Sequence, residues 1–348
     1  MDIYTAEGYP DIRKMTSCRA PFIYAWGGRG CGKTYSALQY YTYENPQLFM
    51  YVRRTQTQID LVSTPALQPY KRMNRDHNDS IEPVPEKNGM FAFRRLIPDE
   101  NDKRIATGPT FGYMCALSTF HNLRAGFDGS DVRVIIYDEF IPQDEERELK
   151  NEYTVLMHLY ETVNRNRELD GEDPVLLLCL ANANTPEGNI FLAGELMGKA
   201  IEMQKRSKNF SLIESRGIAL FNMFDSPISA KKESTALYRA TRGTAFYDMA
   251  VKNQFALDTS VPLRSLPLRE FLPVVNIGEL GIWKHKSEGY IYVTRKQDPS
   301  VRKFILAEYD LKIFKQRFSW LYLRYLDEQI LFDSEVCSLL FVKYLEMA

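Results

Sequence analysis

The fold is decided by the stretch Gly27-Gly28-Arg29-Gly30-Cys31-Gly32-Lys33-Thr34, a complete GxxxxGK[ST] motif. An apolar run at 22–26 precedes it, and a helix-forming run follows it. Glycines let the backbone curl so that successive N–H groups point at phosphates, a lysine reaches the β- and γ-phosphates, and a Thr hydroxyl can ligate Mg²⁺. The motif therefore predicts a P-loop between a strand and a helix. The predicted phosphate-binding residues are Gly28, Arg29, Gly30, Cys31, Gly32, Lys33 and Thr34, with Lys33 also catalytic and Thr34 also a metal ligand.

A second motif, residues 134–139 (VIIYDE), is an apolar run that ends in two acids and is typical of Walker B. Asp138 would hold the Mg²⁺ shell, and Glu139 would polarise the attacking water as general base. A solvated acidic turn is the alternative, because three more acids follow at 144–146. Beside a P-loop, the adjacent Asp-Glu pair favours the additional-strand ATPase group over GTPases and nucleotide kinases.

Three polar residues are further candidates for this site. Asn182 follows the apolar run 175–181, where a polar side chain can lie beside the γ-phosphate, although an Asn also commonly starts a turn. Arg165 closes a long helical pattern and could act as an arginine finger. Arg53 and Arg54, after a strand, and Arg124, before the Walker B strand, are similar. Cations at a helix end or on a solvated face are the alternative for these arginines.

Composition limits the classes of protein. The 348 residues carry 44 Lys and Arg against 45 Asp and Glu, so any nucleic-acid surface must be a local patch. The first residues lack an apolar signal segment, and the longest apolar run is too short to cross a bilayer, so no membrane partner is expected. The five cysteines form no CxxC and predict reduced thiols, and the four histidines do not cluster as zinc ligands.

The chain is predicted to have two domains. Residues 1–208 alternate apolar strands with helices, which indicates an α/β P-loop NTPase with a mostly parallel sheet covered on both faces. Residues 209–265 are expected to form a linker region. Residues 266–348 are predicted to form a smaller α+β domain with a hairpin turn at 285–289 and one helical stretch at 311–346. A single helix is also expected at 190–206.

In order along the chain, these motifs resemble the DNA-packaging ATPases of phi29-like tailed phages, the gp16 family. Besides the P-loop, the resemblance is carried by residues 51–54 (YVRR), 137–141 (YDEFI), 162–168 (TVNRNRE) and 179–183 (CLANA). Short signatures at 253–255 (NQF), 298–300 (DPS) and 323–325 (LRY) extend it to nearly the whole chain. One departure is Gln56, where the family pattern leads us to expect a lysine.

The resemblance implies a motor that uses ATP and Mg²⁺ to move double-stranded viral DNA into a preformed procapsid through the portal. It implies a homo-oligomeric ring, usually a pentamer, in which Arg165 acts across the subunit interface at the neighbour's ATP. Arg124 falls where relatives carry another basic residue suggested to act in trans. The implied location is the host cell cytoplasm, transiently at the portal vertex, and a structural RNA is a further candidate partner.

The resemblance also implies that residues 266–348 are a degenerate relative of the RNase H-like nuclease half of large terminases. A two-metal nuclease needs several carboxylates, whereas Lys284 and Lys286 lie on the candidate first hairpin, so we interpret this domain as a docking module. Its cations fit a nucleic-acid surface or a solvated face equally well. Two alternatives remain: a full terminase with an active nuclease, and a slow ATP-binding regulatory switch, although the general base Glu139 favours hydrolysis.

Overall fold

The computed structural model describes residues 2–98, 104–122, 127–142, 146, 149–183, 185–232, 234–244 and 263–347. The chain forms two compact units. Unit 1 comprises residues 1–190 and 203–253, and unit 2 comprises residues 191–202 and 254–348.

Unit 1 is built on a nine-stranded, mostly parallel sheet with the order β3-β4-β5-β2-β6-β7-β1-β9-β8. The parallel pairs are β1 with β7 and β9, β2 with β5 and β6, and β6 with β7. The additional strand β7 thus lies between the P-loop strand β1 and the Walker B strand β6. The strands are β1 (Phe22–Gly27), β2 (Phe49–Arg53), β3 (Ile81–Pro85), β4 (Phe91–Pro98), β5 (Arg104–Ala116), β6 (Val134–Asp138), β7 (Leu176–Asn182), β8 (Phe210–Ile213) and β9 (Ile218–Asn222).

The central strands form because their residues are almost continuously apolar. Every residue of β6 is buried, and only the first residue of β1 is partly exposed. Strands buried on both faces are typical of a parallel sheet covered by helices. Among the described residues, the α-helices are α1 (Ile12–Thr16), α2 (Lys33–Gln39), α3 (Gln56–Val62), α4 (Lys71–His77), α5 (Glu152–Asn164), α6 (Asn189–Ala193), α7 (Met197–Lys205), α8 (Pro227–Lys232), α9 (Ala236–Ala240), α10 (Glu308–Leu326) and α11 (Glu335–Met347).

Two helices next to the site have local features that explain their boundaries. Helix α2 starts directly after the P-loop and continues as a π-helical turn over Tyr40–Glu44. Helix α3 begins at a capping box, in which the Thr55 hydroxyl accepts from the Gln58 N–H and the Gln58 side chain accepts from the Thr55 N–H. Because this cap starts α3 at Gln56, only Arg54 and Thr55 lie between the helix and Arg53, the last residue of β2.

Unit 2 contains a five-stranded sheet with the order β13-β10-β11-β12-β14. Strands β10, β11 and β12 form an antiparallel meander, while β13 runs parallel to β10 and β14 runs parallel to β12. Residues of α10 and α11 complete its core. The strands are β10 (Phe271–Ile277), β11 (Leu280–His285), β12 (Ile291–Thr294), β13 (Lys303–Phe304) and β14 (Ile330–Phe332).

The structure differs from the sequence predictions in the middle of the chain. Residues 210–213 and 218–222, expected in a linker, form β8 and β9, and β9 is fully buried beside β1 because its first four residues are all apolar. The helix expected at 190–206 is interrupted, so α6 and α7 are separate. Residues 191–202 belong to unit 2 instead of the first domain, since Arg295 pairs with Glu202 and the Glu279 carboxylate accepts from the Gly198 N–H.

The helical stretch expected at 311–346 is also divided. Helix α10 ends at Leu326, and Glu328 then adopts a left-handed φ of 55°. Residues 330–332 pair with β12 as a strand before α11 begins. A short apolar run such as this fits a strand or a helix, and its pairing partner decides between them. None of the helices in the described residues combines the length and apolar character needed to cross a bilayer.

Candidate active site

The candidate site lies at the carboxyl ends of four neighbouring parallel strands. Gly27 at the end of β1 is in register with Asn182 at the end of β7, and Asp138 at the end of β6 is in register with Leu180. Strand β2 pairs with β6 up to Val52. Open α/β sheets bind ligands at this edge. The pairing therefore brings the P-loop and the two acids of Walker B together.

The P-loop takes backbone conformations that its glycines make accessible. Gly30 and Gly32 have φ values of 68° and 85°, in the left-handed region that disfavours residues with a Cβ. A Cβ on Gly32 would lie 2.7 Å from Cδ1 of Tyr9, so the loop is also closely packed. This curled backbone is the conformation that phosphate binding requires.

Lys33 lies inside the loop with only 4% of its surface exposed. Its Nζ donates to the carbonyls of Gly27 (3.0 Å) and Gly28 (2.9 Å) and lies 3.1 Å from Sγ of Cys31. Among the described residues, the groups that contact this ammonium are therefore neutral: two carbonyls and a thiol. Lysine is rarely so buried without an anionic partner. A buried ammonium cradled by neutral groups fits the phosphates of a nucleotide.

Thr34 and Asp138 provide adjacent oxygen ligands. The Thr34 hydroxyl donates to Asp138 Oδ1 at 2.9 Å, and the Tyr51 hydroxyl donates to Asp138 Oδ2 at 2.7 Å. Burial, together with the Asp138 carboxylate, raises the pKa of Tyr51 well above its usual range, so Tyr51 stays protonated as a donor. A hydroxyl and a carboxylate are the hard oxygen donors that Mg²⁺ prefers. The pair therefore fits the predicted Mg²⁺ site.

Arg53 engages the side chain of Glu139. Its guanidinium forms an ion pair with the Glu139 carboxylate, its Nε donates to the Tyr51 hydroxyl at 2.9 Å, and its Nε lies 3.8 Å from Asp138 Oδ2. Burial lowers the pKa of Arg53, but the neighbouring Asp138 and Glu139 carboxylates oppose this, and the net shift is upward. The cation thus holds both acids of Walker B in place.

The backbone of Glu139 is also constrained. Its φ of 57° is left-handed, a conformation that costs a non-glycine residue about 1–3 kcal/mol and persists only when its surroundings fix it. The next peptide group is held at both ends: Arg54 Nη2 donates to the Glu139 carbonyl at 2.9 Å, and the Phe140 N–H donates to the Leu180 carbonyl at 3.2 Å.

Arg54 is buried, with 1% exposure of its side chain. Its Nε donates to Glu152 Oε1 at 3.1 Å and its Nη1 donates to Glu146 Oε2 at 2.7 Å. Glu152, the first residue of α5, is itself fully buried and also accepts from the Tyr137 hydroxyl. Burial, with the Glu152 carboxylate, raises the pKa of Tyr137 far above its usual range and keeps it a donor. These ionic contacts link Walker B to the start of α5.

The predicted arginine-finger residue lies at the other end of α5. Arg165 caps the helix with a φ of 45°, is half exposed, and pairs with Asp128 Oδ1 at 3.1 Å. Arg167 is instead buried and donates to the carbonyls of Gly129 and Ser130. These contacts of Arg165 and Arg167 are to residues 127–130, outside the P-loop and Walker B. Of the two arginines, Arg165 is therefore the one whose charge faces solvent.

Two other sequence candidates have different outcomes. Asn182, the last residue of β7, pairs with Gly27 at the end of β1, and its contact with the γ-phosphate stays a prediction. Arg124 lies outside the described residues.

The sequence pattern predicts Arg53 and Arg54 to be arginine fingers or solvated charges. The structure instead pairs Arg53 with Glu139 and buries Arg54 beside Glu146 and Glu152, because both arginines lie at the end of β2, next to the Walker B strand. No sequence signal pointed to Tyr51 or Glu152. Alternation along β2 could have indicated that Tyr51 and Arg53 share one face and Arg54 takes the other, but the partners of Arg54 become visible only in the fold.

Comparison with known proteins gives one consistent result. The family model described as Podovirus DNA encapsidation protein (Gp16) matches residues 8–316. The DNA packaging proteins of Bacillus phages PZA and phi29 are each 27% identical over 298 residues, covering 83% of this chain and 80% of the relative. A chain in the solved structure of the bacteriophage Phi-29 viral genome packaging motor assembly shares the fold with a TM-score of 0.60 and 22% identity, covering 98% of this chain and 99% of the other.

The ionic contacts of Arg54 lead to a prediction about stability. Glu152→Gln should lower the free energy of unfolding by about 3 kcal/mol, because a buried guanidinium loses one of its two anionic partners. Chemical denaturation measures the change. Glu161→Gln makes the same change on an exposed position of α5 and should stay within about 0.5 kcal/mol of wild type. Equal stability of the two variants would contradict the assigned pairing.

Proposed function

The chain belongs to the podovirus DNA encapsidation protein (Gp16) family, and on that premise we propose that it is the ATPase of a motor that packages double-stranded DNA. The observation that carries the proposal is the cluster of Lys33, Thr34, Asp138 and Glu139 at one sheet edge. Bound ATP with Mg²⁺ supplies a phosphoanhydride bond whose hydrolysis releases the free energy for movement. We infer that the motor acts in the host cytoplasm, at the portal of the procapsid.

The residues divide the chemistry between them. Lys33 neutralises the β- and γ-phosphates, and the P-loop N–H groups orient them. Thr34 and Asp138 hold the Mg²⁺ ion. Glu139 accepts a proton from the attacking water as general base. Asn182 lies at the strand end beside Gly27, where its amide can contact the γ-phosphate.

Glu139 cannot act as a base while Arg53 neutralises its carboxylate. The ion pair between them is a resting arrangement. Activation of the water requires the Glu139 side chain to move away from Arg53. A general base must come within hydrogen-bond distance of the proton that it takes. A change of rotamer suffices, because the Glu139 side chain is partly exposed while its backbone is held.

Hydrolysis should depend on Lys33 and Glu139 in different ways. Lys33→Ala should weaken ATP binding because a phosphate counter-charge is lost. Glu139→Gln should keep ATP binding and lower the turnover rate by about 100-fold or more. Turnover of ATP is measured with and without duplex DNA, and nucleotide binding is measured separately. Glu214→Gln, on an exposed turn of unit 1, is the control and should turn over normally. A wild-type rate for Glu139→Gln would disprove the assigned base.

Stimulation of turnover by duplex DNA separates the motor from the alternative of a slow ATP-binding switch. A motor couples hydrolysis to its track, whereas a switch binds nucleotide and turns over slowly in either condition. The acid Glu139 beside Asp138 favours the motor, because a pure switch does not need a general base.

Arg165 is proposed to act in trans within a homo-oligomeric ring, with a pentamer as the expected size. The support is its position: a half-exposed cation at the end of α5, whose contacts are to Asp128 and the Phe127 carbonyl. An arginine supplied by a neighbour can neutralise charge on the transferred phosphoryl group. Arg124 is proposed as a second trans-acting cation on the family resemblance alone. A structural RNA stays a candidate partner.

Subunit mixing tests this proposal. Arg165→Ala subunits keep Lys33 and Glu139, and Glu139→Gln subunits keep Arg165, so a mixed ring contains interfaces with both groups intact. We expect each variant alone to be inactive and the mixture to recover part of the wild-type ATP turnover. Co-purification of differently tagged subunits establishes that mixed rings form. Absence of recovery in such rings would assign Arg165 to its own subunit or to a structural role.

Unit 2 is proposed to be a degenerate RNase H-like domain that docks and does not cut DNA. Its candidate acids have structural partners: Asp298 accepts from the N–H and hydroxyl of Ser300 in a turn, and Asp310 accepts from Arg302 and the Ile305 N–H. The side chain of Lys284, on β11, is exposed. Carboxylates arranged in this way do not surround a common metal position.

Supercoiled plasmid should therefore stay intact when it is incubated with the full-length protein and Mg²⁺ or Mn²⁺. The reaction is followed by gel electrophoresis over a range of protein concentrations. Asp298→Asn and Asp310→Asn serve as matched variants, and both should behave as wild type. Metal-dependent nicking that either substitution removes would favour the alternative of a full terminase with an active nuclease.

A further inference from the structure

We propose that Arg54 is a positioning residue for hydrolysis, which fixes the backbone of Glu139 so that only its side chain moves during the reaction. The inference rests on the proposed role of Glu139 as general base. Arg54 does not contact the Glu139 carboxylate in the structure. It donates from Nη2 to the carbonyl oxygen of Glu139 at 2.9 Å.

The peptide group after Glu139 is the part of the site that Arg54 determines. Its carbonyl accepts from Arg54, and its N–H, which belongs to Phe140, donates to the Leu180 carbonyl of the neighbouring strand. With both ends held, the plane of this peptide cannot rotate. The left-handed φ of Glu139 is thereby maintained, and the direction of its Cα–Cβ bond is set.

Arg54 can provide this restraint because its own guanidinium is held in a fixed orientation. Glu152 accepts from Nε and Glu146 accepts from Nη1, which leaves Nη2 directed at the Glu139 carbonyl. The planar guanidinium presents its donors in a rigid fork, whereas the lysine ammonium is a point charge on a flexible stem. Lysine at this position would keep the charge and lose the simultaneous contacts.

Consecutive arginines thus act on different parts of one residue. Arg53 pairs with the carboxylate of Glu139, and Arg54 holds its carbonyl. When the carboxylate leaves Arg53, the contact to Arg54 can stay in place. The general base then swings from a fixed backbone, which limits where its carboxylate can go and favours one position near the attacking water.

The primary experiment measures ATP turnover at saturating ATP for Arg54→Lys. We expect kcat to fall by about tenfold or more because the base is misplaced, while KM for ATP changes less than about twofold. The control is Arg95→Lys, since the Arg95 guanidinium also makes more than one hydrogen bond, with bonds of 2.6 and 2.8 Å to Asp79, but lies outside the site. Arg95→Lys should keep the wild-type kcat. A wild-type kcat for Arg54→Lys would overturn the proposal.

A double-mutant cycle separates positioning from general structural support. If Arg54 acts through Glu139, Arg54→Lys should cause no further loss of kcat in the Glu139→Gln background, because the base is already removed. An equal further loss in that background would show that Arg54 acts independently and would overturn the proposal. A wild-type rate for Glu139→Gln alone would overturn the proposed base as well, so failure of the two ideas can be distinguished.

A second variant keeps the test valid if Arg54→Lys does not fold. Arg54→Met combined with Glu152→Gln removes the buried cation and its fully buried anionic partner together, so no fully buried charge is left unpaired at that position. Tyr137 keeps an acceptor in the amide oxygen. Glu146 loses its cation but is one-third exposed and still accepts from the Gln58 amide. This variant lacks the donor to the Glu139 carbonyl and should show the same loss of kcat. A folded double variant with wild-type turnover would also overturn the proposal.

Discussion

The hydrogen bond from the Thr34 hydroxyl to the Asp138 carboxylate joins residues that are 104 positions apart in the chain. It forms because β7 pairs in parallel with both β1 and β6, so that the ends of these strands lie at one edge. A shift of register by one residue would turn the end of β6 to the other face of the sheet. The proposed metal ligands, and the position of Glu139 beside them, all depend on that pairing.

Around this edge, charge is balanced by the two arginines at the end of β2. Arg53 faces the acids of Walker B, and Arg54 faces Glu146 and Glu152. Buried ion pairs contribute little net stability, because desolvation offsets most of the attraction, but removing one partner is costly. Such contacts are therefore better understood as fixing the geometry of the site. They also make the end of β2 a common support for Walker B and for α5.

Local sequence patterns were reliable where a segment could be judged by its own residues. The apolar runs before the P-loop and at Walker B became β1 and β6, and α5 appeared where periodicity placed it. Patterns failed where partners decided the outcome. Residues 330–332 form a strand because they pair with the free side of β12. Residues 218–222 form a strand inside the large sheet because they pair with the free side of β1. The division at 191–202 followed contacts to residues that come much later in the chain.

The sequence by itself determined the P-loop and the acids that accompany it, because glycines with accessible left-handed conformations, a lysine, a hydroxyl and an Asp-Glu pair carry their chemistry in their types and spacing. It also separated a parallel α/β unit from a smaller α+β unit. The tertiary structure alone decided which arginine holds which part of Glu139, and that Tyr51 donates to Asp138. The reason is physical: an arginine's role depends on burial and on the direction of its donors, and both are set by residues distant in sequence.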